Sequence, residues 1–229
     1  MAGELAQLLN NVQTLSGGSR QEVKNWRPWD TAIYQPQKTC PFCNLDPQRE
    51  VFRPFCPDGP DWMILQNAFT PFKKHELLLP TKCWDEARLR SLGGIADLHW
   101  ALYYGLSRII TTHDHLPFPV QFYTHIGSLA GQNWRHHHWH ICWLAVDPEP
   151  VLPRLNIDED QILHRSKPFV TGVYGNYAGQ TWIYPLNPKR NSIARLLRNG
   201  GEDLWWLTCD IMRVVDLFNL KFRYPDNEF

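Results

Sequence analysis

The chain has 229 residues, 43% hydrophobic and 20% charged, and its 23 basic residues balance 23 acidic ones. That is the composition of a globular protein long enough to bury a core, and its neutrality argues against broad electrostatic binding to nucleic acid. Six cysteines, with no basic and apolar leader in Met1-Ala2-Gly3-Glu4-Leu5, read as metal ligands or reduced thiols rather than a disulfide framework. No apolar run approaches the ~20 residues that span a bilayer, and the cytoplasm is the expected location.

In residues 4–15, Leu5, Leu8, Leu9, Val12 and Leu15 recur at helical spacing, which predicts a short amphipathic helix that Ser16-Gly17-Gly18-Ser19 ends. Residues 26–39, rich in aromatics and proline, read as an extended arm. Cys40-Pro41-Phe42-Cys43 follows. A Cys-x-x-Cys turn presents two thiolates to one tetrahedral ion, usually zinc, and a redox pair is the rival. Redox pairs usually open a helix, whereas Asn44, Asp46 and Pro47 favour a knuckle-like turn. By itself the pair supplies half a metal site.

Residues 62–66 and 75–80 predict two strands of an antiparallel hairpin turning around Pro71. From 85 to 112 the apolar residues Leu89, Leu92, Ile95, Leu98, Leu102, Leu106 and Ile109 repeat every three or four positions, so a helix is expected, with Gly93-Gly94 as a place to kink or divide it. His113, Asp114 and His115 fall in the loop beyond, and residues 119–124 form another strand. Gly127-Ser128-Leu129-Ala130-Gly131-Gln132 is then a loop of small residues that lets a ligand approach the backbone closely.

The stretch from Asn133 to Val146 reads as one strand, stopped by Asp147-Pro148. Alternation puts His136, His138 and His140 on one face, with Cys142 and Leu144 beyond, while His137, Trp139, Ile141 and Trp143 point to the other. Three imidazoles on one face are compatible with a plain polar face, with a metal site, or with nucleophilic catalysis in which one histidine attacks phosphorus while its neighbours position the group and the leaving oxygen. The motif alone does not decide.

The order strand, strand, long helix, strand, glycine loop, His-x-His-x-His strand resembles the histidine-triad (HIT) superfamily of nucleotidyl hydrolases and transferases. Asn67 to Pro71 followed by His75-Glu76-Leu77-Leu78-Leu79-Pro80 is similar to that family's hairpin, and Gly127 to His140 to its loop and triad. The resemblance implies that His138 is the nucleophile, forming a nucleotidyl-histidine at an α-phosphorus. His140 is then the third triad member, at the phosphoryl group and leaving oxygen. Gly131, Gln132 and Asn133 hold the phosphates, although the hydrolase branch usually has serine where Asn133 stands. Asn67 falls where family members contact ribose, His75 belongs to the same substrate-facing hairpin, and His125 stands where many members carry asparagine. In the branch resembling galactose-1-phosphate uridylyltransferases and dinucleoside-polyphosphate phosphorylases, a Cys-x-x-Cys pair is joined by a histidine after the hairpin and by the first triad histidine. Here the hairpin position is Cys83, which implies a closed structural zinc site of Cys40, Cys43, Cys83 and His136. That branch carries glutamine as third triad residue, whereas His140 is typical of hydrolases, so the acceptor stays open among water, phosphate and sugar phosphate.

The remainder echoes the first half. Residues 147–168 read as a proline-rich acidic connection, 169–174 and 181–185 as strands, 192–217 as a helix and 218–224 as a further strand, without a second His-x-His. Lys189, Arg190, Arg195 and Arg198 form a basic run that is either a solvated helix start or a contact for substrate phosphate. The expected fold is α+β: a mainly antiparallel HIT-like sheet with packed helices, divided into an N-terminal helix and arm (1–39), a catalytic domain with its knuckle (40–146), a connection (147–168) and a partial second repeat that completes the sheet or pocket (169–229). The resemblance further implies a homodimer that acts on a nucleotide small molecule. Two other functions remain open: a zinc-stabilised nucleotide binder without turnover, and a metal-hydroxide hydrolase that uses the triad as ligands.

Overall fold

The alternating stretches of the first half form an antiparallel sheet in the computed structural model, which describes residues 40–45, 51–52, 60–67, 70, 72–113, 120–126, 134–144, 162–173, 181–187, 193–197 and 201–221. Its strands are β1 (Val51–Phe52), β2 (Trp62–Gln66), β3 (Lys74–Pro80), β4 (Val120–Thr124) and β5 (Trp139–Trp143), in the spatial order β1-β2-β3-β5-β4 with every pair antiparallel. The β2–β3 hairpin matches the sequence reading; the two-residue β1 has no apolar run to announce it. The helix and arm expected before residue 40, the glycine loop 127–133, His115, Lys189, Arg190 and Arg198 all lie outside the described residues.

Register decides what each face carries. Leu77 stands opposite His140 and His75 opposite Cys142, and on the other side Tyr123 stands opposite His140. Because alternate residues share a face, His75, Leu77 and Leu79 of β3, Met63 and Leu65 of β2, Tyr123 of β4, and His140 and Cys142 of β5 all lie on one side of the sheet. The knuckle covers part of this side: Cys40, Phe42, Met63, Leu65, Leu77 and Leu79 form one buried cluster, with Cys43, Leu45, Cys83 and Trp134 packed at its edge. The opposite face buries Trp139, Ile141 and Trp143.

The triad strand is shorter than the sequence suggests. Residues 136–138 lead into the ladder, which starts only at Trp139. The cause is a set of side chains that takes the main-chain partners a ladder would use. His138 Nδ1–H donates to the carbonyl of His136 at 2.7 Å, and Thr124 Oγ1–H donates to the carbonyl of His138 at 2.7 Å. The shared side of the histidines survives all the same, because Phe42 touches both His136 and His138, and His138 touches His140.

The chain divides into two compact units, and residues 84–117 group with 148–229 rather than with the sheet just described. In this second unit the helix expected over 85–112 is two, α1 (Glu86–Arg90) and α2 (Gly94–His113). Leu92 and Gly93 between them and Gly94 at the start of α2 adopt φ of 53°, 80° and 82°, a left-handed run that no α-helix passes through. Asp85 caps α1 by accepting from Arg88 N at 2.8 Å. Strands β6 (Ile162–Arg165), β7 (Phe169–Val173) and β8 (Thr181–Pro185) make their own antiparallel three-stranded sheet instead of extending the first. Thus β6 occupies residues read from the sequence as connection. Likewise the helix expected over 192–217 is divided into α3 (Ile193–Leu196) and α4 (Glu202–Lys221), with Gly201 at φ 77° before the second. Residues 218–221, expected to begin a strand, are helical, since the apolar spacing of α4 carries on through them. α2 packs along α4, and His99 on α2 hydrogen-bonds Thr208 of α4 at 3.2 Å. Among the described residues no helix is long and apolar enough to cross a membrane.

Candidate functional site

The knuckle turn, Cys83 three residues beyond β3 and the segment before β5 converge on one point. Cys40, Cys43, Cys83 and His136 each offer a ligand atom, and all four atoms lie within 4.8 Å of one another. His136 Nδ1 is 3.4, 3.5 and 3.2 Å from the sulfurs of Cys40, Cys43 and Cys83, and the Cys43 and Cys83 sulfurs are 3.4 Å apart. Tetrahedral zinc with its usual bond lengths separates sulfurs by about 3.8 Å and sulfur from nitrogen by about 3.5 Å, and these four separations lie within a few tenths of an ångström of those values. The imidazole is already oriented as a ligand, because its Nε2–H donates to the Pro80 carbonyl at 2.7 Å, which leaves the Nδ1 lone pair facing the thiols. The thiols do not ionise independently. The hydrogen bond from Cys83 holds the Cys40 thiol down at about 4, whereas its pairing with Cys40 pushes Cys83 up and burial raises Cys43. One thiolate thus opposes the next, and a bound dication relieves that opposition. The group can hold a metal ion.

His138 lies at the edge of the same cluster and is 5% exposed. Its Nδ1–H is committed to the His136 carbonyl, so the lone pair sits on Nε2. Burial is the main reason its pKa falls to about 4, against the opposing pull of that hydrogen bond. The ring is therefore neutral near pH 7, as a nucleophilic imidazole must be.

His140, one step along β5, is surrounded by rings. Its Nδ1 is 2.8 Å from His75 Nε2. Tyr123 stacks on it with ring centroids 4.8 Å apart and planes 16° apart, and His125 and His138 meet it edge-on at 5.8 and 4.9 Å. The Asn67 amide nitrogen is 3.1 Å from His75 Nδ1 and 3.4 Å from its Nε2. Two such similar distances place the amide over the face of the ring rather than on a lone pair.

Of the residues singled out by sequence, Cys40, Cys43, Cys83 and His136 come together, and so do Asn67, His75, His138 and His140. Gly131, Gln132 and Asn133 lie outside the described residues. Sequence reasoning missed Tyr123, whose place opposite His140 depends on register, and the direct His75–His140 contact. Pattern alone did not announce that contact, since His75 is flanked by Lys74 and Glu76 and followed by three consecutive leucines; the pairing of Leu77 with His140 sets it.

No protein-family model matches the chain, and no curated protein matches it by sequence. Solved structures do match. An ADP-glucose phosphorylase from Arabidopsis thaliana, solved with ADP-glucose bound, is 18% identical with a TM-score of 0.62, over 85% of this chain and 73% of that one. A uridylyltransferase is 15% identical with a TM-score of 0.57, over 80% of this chain and 67% of that one. At such identities a likeness speaks for the fold, and the chain has the α+β HIT-like fold that these two proteins share.

Proposed function

We propose that the chain is a nucleotidyl transferase or hydrolase that acts at the α-phosphorus of a nucleoside polyphosphate or sugar nucleotide through a covalent nucleotidyl-His138. The observation that carries this reading is the state of His138: buried, neutral, with Nδ1–H tied to the His136 carbonyl. Its remaining lone pair is on Nε2, and its ring meets that of His140 edge-on. The Nε2 lone pair forms a P–N bond as the bond from phosphorus to the leaving oxygen breaks, and His140 supplies the proton that this oxygen takes. An acceptor then attacks the same phosphorus and its proton passes to His140, the P–N bond breaks, and the electron pair returns to His138. Water would make the protein a hydrolase, phosphate a phosphorylase and a sugar phosphate a transferase. The fold shared with an ADP-glucose phosphorylase and a uridylyltransferase supports a nucleotide sugar as substrate, and the loop at Gly131, Gln132 and Asn133 is its phosphate cradle by resemblance.

The metal is zinc, held by Cys40, Cys43, Cys83 and His136. When bound, it supplies folding energy and leaves no open coordination position for a substrate. It latches the knuckle onto the sheet and fixes the segment that ends in His138. The metal-hydroxide alternative loses support, because His136 turns one nitrogen to the thiols and the other to Pro80. Replacing His138 by alanine tests the reading. Turnover should fall by several orders of magnitude while metal content and nucleotide affinity stay near the parent's. Loss of metal in His138→Ala would show instead that the triad is a ligand set, and unchanged turnover would remove His138 from the chemistry.

A further inference from the structure

The reaction needs the proton-bearing nitrogen of His140 in one place, and a histidine side chain has two torsions to fix. One constraint is the 2.8 Å contact of Nδ1 with His75 Nε2. A single contact of that kind still lets the ring rotate about the line joining the nitrogens. The second constraint comes from β4, where Tyr123 stands opposite His140 in the ladder and lays its ring parallel to the imidazole. Tyr123 is itself held by the Cys142 thiol, which donates to its hydroxyl at 3.8 Å, and by an edge-on contact with His125 at 5.1 Å. We infer that Tyr123 is a positioning residue for His140: its ring fixes the plane of the imidazole and gives the protonated form an aromatic face, so that the outward nitrogen delivers its proton along one direction. This rests on the proposed proton-donating role of His140.

The physical argument has two parts. A ring stacked within van der Waals distance removes the rocking motion that would carry the outward nitrogen off its line, and misplacement of a reacting group by about 1 Å can cost about 100-fold in rate. The face of a phenol ring is also the negative end of its quadrupole, so it favours an imidazolium over a neutral imidazole. Among the described residues, the titratable groups recorded against His140 include His75 from β3, His125 from the segment after β4, and His138 on its own strand segment. Each adds positive charge when protonated, so Tyr123 is the one neighbour of the set that always favours the charged form.

The test compares Tyr123→Phe with Tyr123→Leu, using ADP-glucose and orthophosphate as the probe pair. Tyr123→Phe keeps the stack and should keep kcat within about threefold. Tyr123→Leu should lower kcat about tenfold or more with little change in KM. Its loss of activity on the alkaline side should begin about half a pH unit lower, because a weaker aromatic face means a less basic His140. A rise in KM alone would make Tyr123 a substrate contact and overturn the inference. Equal impairment of the two variants would overturn it as well, since the hydroxyl would then be the active part. NMR titration of His140 separates this inference from the reaction itself. Its midpoint should fall in Tyr123→Leu and hold in Tyr123→Phe whether or not ADP-glucose is turned over. An unchanged midpoint in Tyr123→Leu refutes the stacking argument, whereas a parent that forms no nucleotidyl adduct refutes only the reaction. If Tyr123→Leu does not fold, phenylalanines of increasing fluorination at position 123 keep the shape and weaken the face. The midpoint should then fall with each added fluorine, and no trend would reject the inference.

Discussion

Removing the Cys83 sulfur tests the latch that holds the knuckle to the sheet. Cys83 Sγ is 3.4 Å from Cys43 Sγ and 3.2 Å from His136 Nδ1, so Cys83→Ala leaves three ligands where a structural ion needs four. The knuckle then loses its anchor, and with it the burial of Phe42, which is 7% exposed and belongs to the cluster of Met63, Leu65, Leu77 and Leu79. Exposing one such ring costs about 2–3 kcal/mol. At about 2–4 °C per kcal/mol for a chain of this size, release of Phe42 alone lowers Tm by about 4–12 °C, and loss of the metal's own binding energy adds to that. The assay is elemental analysis and a thermal melt on the same preparation, with the parent treated with a chelator as a second route to the same state. Cys142→Ala is the comparison: Cys142 is fully buried but outside the ligand group, so this variant should lose some stability and keep its metal. A Cys83→Ala protein with a full metal complement and the parent's melting curve would refute the latch.

Other consequences follow from the second unit. Asp210, 0% exposed, accepts from Ser166 Oγ at 2.6 Å and from Arg213 Nη1 at 2.8 Å, so Asp210→Ala should cost about 3 kcal/mol in a denaturant melt, the low end for such a pair because Arg213 reaches solvent. Gly93→Ala should destabilise more than Gly94→Ala: both glycines have φ near +80°, but a Cβ on Gly93 would run into Asp97 and stand 2.7 Å from Trp84 Cη2, whereas Gly94 has open space. Burial lowers the pKa of His99. Between that folded value and the ordinary value near 6.5 the unfolded chain takes up the proton and the folded chain does not, so this group removes stability as pH falls below about 6.5. His99→Gln should therefore flatten the acid side of a stability profile, and an unchanged profile would show that His99 contributes nothing there.

The hairpin was legible because residues 62–66 and 75–80 carry short continuous apolar runs, and Trp62 to Leu65 and Leu77 to Leu79 are indeed buried on both faces of the sheet. The triad was legible because His136, His138 and His140 stand two positions apart. The knuckle was legible from Cys40 and Cys43, and Cys83 entered through the resemblance. Other features were set by forces that local pattern does not carry. The ladder of β5 starts late because His138 Nδ1 and Thr124 Oγ1 bond the carbonyls of His136 and His138. Ile162–Arg165 became a strand by pairing with β7, although Ile-Leu-His-Arg has little apolar signal of its own. Residues 218–221, expected to begin a strand, are too short a run for pattern to decide, and continuation of α4 decided them. The neighbours of His140 depend on register, which brings Tyr123 and His75 in from strands about 20 and 65 positions away in the chain.

The central claim is a covalent bond between His138 and a nucleotide, and mass spectrometry of the trapped protein tests it most directly. The protein is mixed with a panel of nucleoside polyphosphates and nucleotide sugars, ADP-glucose included, without added acceptor. It is then quenched in base, where a phosphoramidate survives, and digested. The account predicts one nucleotidyl mass on the peptide that carries His138, lost when phosphate or a sugar phosphate is added and absent from His138→Ala. Turnover of any of these substrates with no adduct, or with an adduct on another residue, would contradict it.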